Sequence, residues 1–183
     1  MKVLLVKNDF EDSSILLEMF KSLFKNMKEE CIDNYIAIYF SYENNEDIVH
    51  VLNALETELV GNIHAYISED RNEDKLIKEA NIAIGLLKDL PIGIYNFKDA
   101  LLKTKYIENK KEILSYILEG SGVNQDFIKE FAENDLNVSQ ASKAMFIHRN
   151  TMIYKLNKLK ATSGFDLNNF KDAYILYSLL ENK

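Results

Sequence analysis

Hydrophobic positions along this chain follow two periods, and the changes of period mark out its elements. Four short apolar runs have strand length: Lys2–Lys7 (KVLLVK), Tyr35–Ser41 (YIAIYFS), Ile63–Ser68 (IHAYIS) and Ile92–Tyr95 behind Pro91. Most of them are rich in β-branched and aromatic residues, which suit a pleated, buried surface. Helical spacing lies between them. Ser13–Phe24 puts Ile15, Met19 and Leu23 on one stripe with Leu16, Phe20 and Phe24 beside it, and Asp47–Leu59 and Glu73–Lys88 are also helical by pattern. Asp33-Asn34 suits a hairpin turn with Glu30–Ile32 as a short partner strand. This βαβαβαβ-like order predicts an α/β (α+β) N-terminal sheet domain with helices packed on it, followed by an all-α domain.

Beyond Tyr95 the period is helical throughout. Lys110–Leu118 predicts a connecting helix, and Gly120-Ser121-Gly122 a hinge after it. Ser139 is placed as the N-cap of a short helix in which Ala141, Ser142 and Ala144 let a second helix cross closely. Phe146-Ile147-His148 reads as a turn, with His148 able to cap the helix Arg149–Lys160. There Met152, Leu156 and Leu159 share one face, expected to pack on Met145, Ile147 and a closing helix through Phe170, Tyr174 and Tyr177. At about 100° per residue, Asn150, Tyr154 and Asn157 point the opposite way. Arg149 and Lys160 flank that face on one side, Thr151 and Lys158 on the other.

Charge sharpens this picture. The chain carries a net charge of -7, yet no acidic residue stands between Asp135 and Asp166. That stretch holds Lys143, Arg149, Lys155, Lys158 and Lys160, and Arg149 is one of only two arginines. Residues 1–124 contain 14 basic and 22 acidic residues, while residues 125–183 contain 8 and 7. A basic helix entered through a short turn is how helix-turn-helix proteins present side chains to the major groove. An acidic front half would repel DNA, so the expected division of labour gives dimerisation or sensing to the front and reading to the back.

Asn137-Val138-Ser139, then Phe146-Ile147-His148-Arg149-Asn150-Thr151 and Tyr154-Lys155-Leu156, resemble the C-terminal helix-turn-helix of PucR/CdaR-type (sugar-diacid regulator) transcription factors. Ser163-Gly164-Phe165-Asp166-Leu167 is similar to the T-G-L-D-L segment that follows in that family, and the resemblance covers about residues 109–183. Ser142, Ile153 and Lys155 depart from it, where Ala, Arg and Arg are usual. A fainter likeness reaches forward: Glu79-Ala80, Ala83 and the short strand ending in Tyr95 match the degenerate GGDEF-like domain of that family. No Gly-Gly-Asp/Glu-Glu-Phe signature is present, so cyclic-dinucleotide synthesis is not expected, and the sensory domain usual upstream is expected to be missing. The resemblance implies residues 1–106 as a degenerate GGDEF-like α/β domain, 107–123 as a connecting helix and hinge, and 124–183 as the DNA-binding domain.

The site residues expected on DNA are Ser139, His148, Arg149, Asn150, Thr151, Tyr154, Lys155 and Lys158. The expected partner is double-stranded DNA, bound by a homodimer held through the strands at Lys2 and Tyr35, the helix Ser13–Phe24 and the helix Lys110–Leu118. No cofactor, metal, membrane contact or enzymatic activity is expected, and the effector is unknown. The only cysteine, Cys31, excludes an internal disulfide, and no signal peptide or membrane span is visible, which implies the cytoplasm. Asp9, Glu11 and Asp12 could hold magnesium in a receiver domain, but Val49–Leu59 is helical by pattern and offers only Glu where the phospho-acceptor Asp is needed. Two rival classes remain: an adaptor or anti-regulator that keeps the helix-turn-helix fold without binding DNA, and a degenerate enzyme whose α/β half binds a nucleotide, which only fold analogy supports.

Overall fold

A computed structural model describes residues 1–7, 18, 21–22, 24, 27–41 and 64–180. The expected helix Asp47–Leu59 lies outside the described residues, as do Asp9, Glu11, Asp12 and His50. Of the expected helix Ser13–Phe24, only Glu18, Lys21, Ser22 and Phe24 are described. The chain divides into two compact units, Met1–Tyr106 and Ile107–Lys183.

The first unit is built on β1 (Lys2–Lys7), β2 (Lys28–Ile32), β3 (Tyr35–Phe40), β4 (His64–Ile67), α1 (Glu73–Leu87), β5 (Gly93–Tyr95) and α2 (Phe97–Lys103). The strands form one sheet in the order β2-β3-β1-β4-β5. The alternation of strand and helix suggests a parallel sheet, but three of the four pairings are antiparallel and only β4 with β5 is parallel. The hairpin is the reason. Asp33 takes a left-handed φ of 52°, β2 and β3 close around it, and β3 returns beside β1 running the other way. A strand that comes back through a tight turn is necessarily antiparallel.

Every side chain of β3 and all of β1 except Lys7 are buried, so these strands are core within their own unit. Each fully buried Val, Leu, Ile or Phe contributes roughly 1.5–3 kcal/mol relative to an exposed one. Helix α1 packs on β1 and β4. Its buried Glu79 accepts a hydrogen bond from the Tyr66 hydroxyl on β4, and the Arg71 guanidinium stands 3.8 Å from the same carboxylate. His64, expected as a core or edge residue, is buried, with Nε2 against the Leu87 carbonyl at 2.9 Å.

The second unit is helical: α3 (Lys110–Leu118), α4 (Gln125–Glu133), α5 (Val138–Ala144), α6 (Arg149–Ser163) and α7 (Phe170–Ser178). Helix α5 packs on α4 and α6, α7 on α4, and α3 on α6. Ile113, Leu114 and Ile117 of α3 are buried. Ser121 is also fully buried; its hydroxyl donates to the Leu118 carbonyl at 2.7 Å and accepts from the Val123 amide at 3.1 Å, which locks the turn after α3. No described helix is long and apolar enough to cross a membrane.

Candidate nucleic-acid interface

Helix α5 begins at Asn137, not at Ser139. The Asn137 side chain accepts from the amides of Ser139 and Gln140 at 2.9 and 3.2 Å. Both residue types cap helices well. The cap is set by Asp135 and Leu136, whose left-handed φ values of 58° and 57° turn the chain out of α4 directly into Asn137. Ser139 therefore stands exposed in the first turn of α5 with its amide satisfied.

Helix α6 starts as its sequence predicts. His148 is the N-cap and its Nδ1 accepts from the Asn150 amide at 3.1 Å. A lone pair on Nδ1 requires that nitrogen to be unprotonated while it caps. The helix runs to Ser163 and ends on Gly164 in the left-handed conformation. Met152, Leu156 and Leu159 are buried, and Arg149, Asn150, Thr151, Tyr154 and Asn157 are exposed on the remaining surface. Tyr154 is 63% exposed.

The lysines of α6 divide by position. Lys155 and Lys158 are half-buried. The Lys155 ammonium donates to the Gly122 carbonyl at 2.8 Å and lies 5.7 Å from the centre of the Phe127 ring. A Cβ built on Gly122 would stand 3.6 Å from the Lys158 ammonium. Lys160 pairs with Asp166 at 2.8 Å. That hydrogen bond raises the Lys160 pKa above its ordinary value and lowers the Asp166 pKa below the usual carboxylate range, with the Asn168 bonds to Asp166 adding to the second effect. Among the described residues Lys143 and Arg149 have no ion-pair partner, so they supply the unengaged charge beside the turn.

The closing helix is rotated from expectation. Phe170 and Tyr174 are 74% and 55% exposed, Tyr177 is exposed too, and Ala173, Ile175, Leu176 and Leu179 are buried instead. Two stripes of similar spacing run along α7, and the one with smaller side chains faces inward. The exposed aromatics support one another: Phe170 stacks on Tyr174, and the Tyr177 hydroxyl donates to Glu133 at 3.2 Å.

The structure thus gathers His148, Arg149, Asn150, Thr151 and Tyr154 on the exposed surface of α6, and holds Lys155 against the turn after α3. Sequence reasoning missed Asn137, Gly122 and Phe127. Asn137 was readable as a capping residue; the other two were not, because they meet α6 only through folding. No group of three or more metal-ligating side chains stands together among the described residues.

Residues 126–181 match the sequence profile of the PucR C-terminal helix-turn-helix domain. The carbohydrate diacid regulator of Escherichia coli (strain K12) is 34% identical over 64 residues, 35% of this chain and 17% of that protein. The DNA-binding transcriptional activator AdeR of Bacillus subtilis (strain 168) is 28% identical over 91 residues, 47% of this chain and 22% of that protein. The match thus spans less than a quarter of either relative. The crystal structure of a regulator of polyketide synthase expression from Bifidobacterium adolescentis aligns with 98% of this chain and 77% of its own, at 16% identity and a TM-score of 0.48. Over residues 126–181, then, the chain is similar to the C-terminal helix-turn-helix domain of PucR-type proteins.

Proposed function

We propose that this chain is a DNA-binding transcriptional regulator that reads the major groove with α6, and not an enzyme. One observation carries the reading. Arg149, Asn150, Thr151 and Tyr154 stand exposed, away from buried Met152, Leu156 and Leu159, in a stretch without a carboxylate. An arginine can take guanine O6 and N7, and an asparagine adenine N6 and N7, each through two bonds. Ser139, Thr151 and Lys143 suit phosphate oxygens, which position the module without reading sequence. The positive end of the α6 dipole, at its exposed start, also suits an anion. The profile match and the two regulators that share this segment support the same reading.

The working unit is a homodimer in the cytoplasm, because one module reads few base pairs and two modules on half-sites about a helical turn apart read enough. The strands β1 and β3 and the apolar residues of α3 are buried, so the dimer contact falls on other surfaces. The first unit is a degenerate GGDEF-like domain. Its support is that Glu79, Ala80 and Ala83, the positions carrying that resemblance, bury α1 in the unit's core, and that β5 ends in Tyr95.

The adaptor reading has two observations on its side: the net charge of -7, and the lysines of α6 that spend their ammonium groups within the chain. One experiment separates them. The full chain is offered random duplex DNA, and a selected duplex is titrated at rising salt. A regulator selects a common sequence, and log affinity falls with log salt by about 0.9 per phosphate contacted. No selected sequence, or an affinity indifferent to salt, leaves the adaptor.

A further inference from the structure

Helix α5 ends in a conformation that costs stability. The Ile147 amide donates to the Ser142 carbonyl at 3.0 Å and the Phe146 amide to the Lys143 carbonyl at 3.1 Å. This pair of bonds closes a helix only if the residue after its C-cap is left-handed, a place glycine usually takes. Helix α6 ends on a left-handed Gly164, and helix α4, closed by the same pair of bonds, puts the short polar Asp135 there. In helix α5 the left-handed residue is Phe146, with φ of 53°. There a Cβ crowds the following carbonyl, a strain glycine escapes. The Phe146 ring is also 97% exposed, so no burial within the chain offsets that strain. Strained backbone of this kind clusters at functional sites.

We propose that Phe146 is a DNA-contact residue whose ring packs on the 5-methyl group of a thymine next to the base read by Arg149; this rests on the DNA-binding reading above. Charge decides the occupant. Lys143 and Arg149 each stand three residues from Phe146, and no carboxylate lies between Asp135 and Asp166. A protein covering the ring would have to set acidic groups on both sides of an apolar spot. DNA offers both features together, since phosphates line the major groove and the thymine methyl is its apolar mark. The ring sits two residues before the N-cap of α6, and the start of a recognition helix is where base edges are met.

The test uses the full chain and the duplex it selects from random sequence. Single thymines are replaced in turn by deoxyuridine, which lacks only the methyl group, and affinities are read by fluorescence anisotropy. The parent is expected to lose affinity at one thymine. Phe146→Ala is expected to bind the thymine duplex roughly tenfold more weakly and to be blind to that replacement. Phe146→Gly should bind no better than Phe146→Ala yet melt at a higher temperature, because glycine relieves the strain. Phe146→Ala binding as tightly as the parent, or keeping its thymine preference, overturns the inference and leaves the DNA reading standing. So does a Phe146→Ala chain that weakens every duplex alike while a parent dimer falls to monomer in sedimentation, since the ring is then a protein contact. A parent that selects no duplex fails the DNA reading itself, and the inference with it.

Discussion

Helices α6 and α7 belong to one unit and solve the same problem in opposite ways. Helix α6 buries its large aliphatic residues, Met152, Leu156 and Leu159, and shows solvent a polar and basic surface. Helix α7 shows solvent its largest apolar residues, Phe170, Tyr174 and Tyr177, and buries Ala173, Leu176 and Leu179. The neighbour decides. Helix α7 lies on α4, whose large apolar residues Phe127, Ile128 and Phe131 are buried. Close packing at near-crystalline density then favours the smaller stripe of α7. Tyrosines tolerate the outer place because their hydroxyls reach polar partners, as Tyr177 does with Glu133.

The largest effect should fall on the inward stripes. Leu156→Ala and Leu176→Ala are each expected to cost about 2–5 kcal/mol of the stability of the second unit. Tyr174→Ala, on the outward stripe, should stay within about 0.5 kcal/mol of the parent, as exposed changes usually do. Urea denaturation followed by circular dichroism measures all three. If Tyr174→Ala unfolds the unit as readily as Leu176→Ala, the assigned faces of α7 are wrong.

The contrast also explains what could be read from the residues alone. The α6 faces were legible because Met152, Leu156 and Leu159 fall on one side, with only Ile153 off that stripe and half-buried. On α7 they disagree, and spacing offers two stripes without saying which one α4 accepts. In the first unit the strands were visible as apolar runs, and the Asp33-Asn34 turn as a hairpin. The antiparallel sheet was harder to see, because the hairpin changes the direction of β3 without changing the order of element types. At the site, the His148 cap was legible as a local event between neighbours. The Lys155 bond to Gly122 was not, because it joins residues 33 apart, and helical period says only that Lys155 flanks the apolar stripe.

The exposed face of α6 should carry the next largest effect, on binding rather than on stability. Arg149→Ala is expected to cost roughly 1–3 kcal/mol of DNA affinity and to relax specificity at one base pair. Melting should stay near the parent's, because Arg149 is exposed and makes no ion pair among the described residues. Competition against duplexes altered at one position measures this. Equal losses on every duplex would make Arg149 a backbone contact.

Lys143 and Lys155 sharpen the comparison further, since equal charge is held in different ways. Lys143 is exposed near the end of α5, whereas Lys155 is turned onto Gly122 and Phe127. Lys143→Ala should reduce the salt slope of binding by about one and leave stability unchanged. Lys155→Ala should leave the slope near the parent's and cost about 0.5–1.5 kcal/mol of stability, the net worth of a typical internal hydrogen bond. The reverse result would mean that Lys155 leaves Gly122 to reach a phosphate.

The smallest effect concerns the far end of α6, where Lys160 and Asp166 tie the last turns of the helix to the segment leading into α7. The Asp166 pKa is lowered by the Lys160 bond. Its contribution to stability is therefore present above the ordinary carboxylate range and disappears as pH falls through the lowered folded value. The Lys160 pKa is raised by the same bond, so its contribution is present below the ordinary lysine value and fades as pH rises through the raised one. Between those limits the pair contributes a constant, small amount, because both groups meet solvent and salt screens them. Lys160→Met removes the pair but keeps the Asn168 bonds to Asp166 and the Asp172 bond to the Asp166 amide. Melting temperatures of parent and variant should differ by a small, even margin at neutral pH. They should converge in acid as Asp166 protonates, and the margin should shrink with added salt. A margin that persisted unchanged to the most acidic pH at which the fold survives would show that it does not arise from the ion pair.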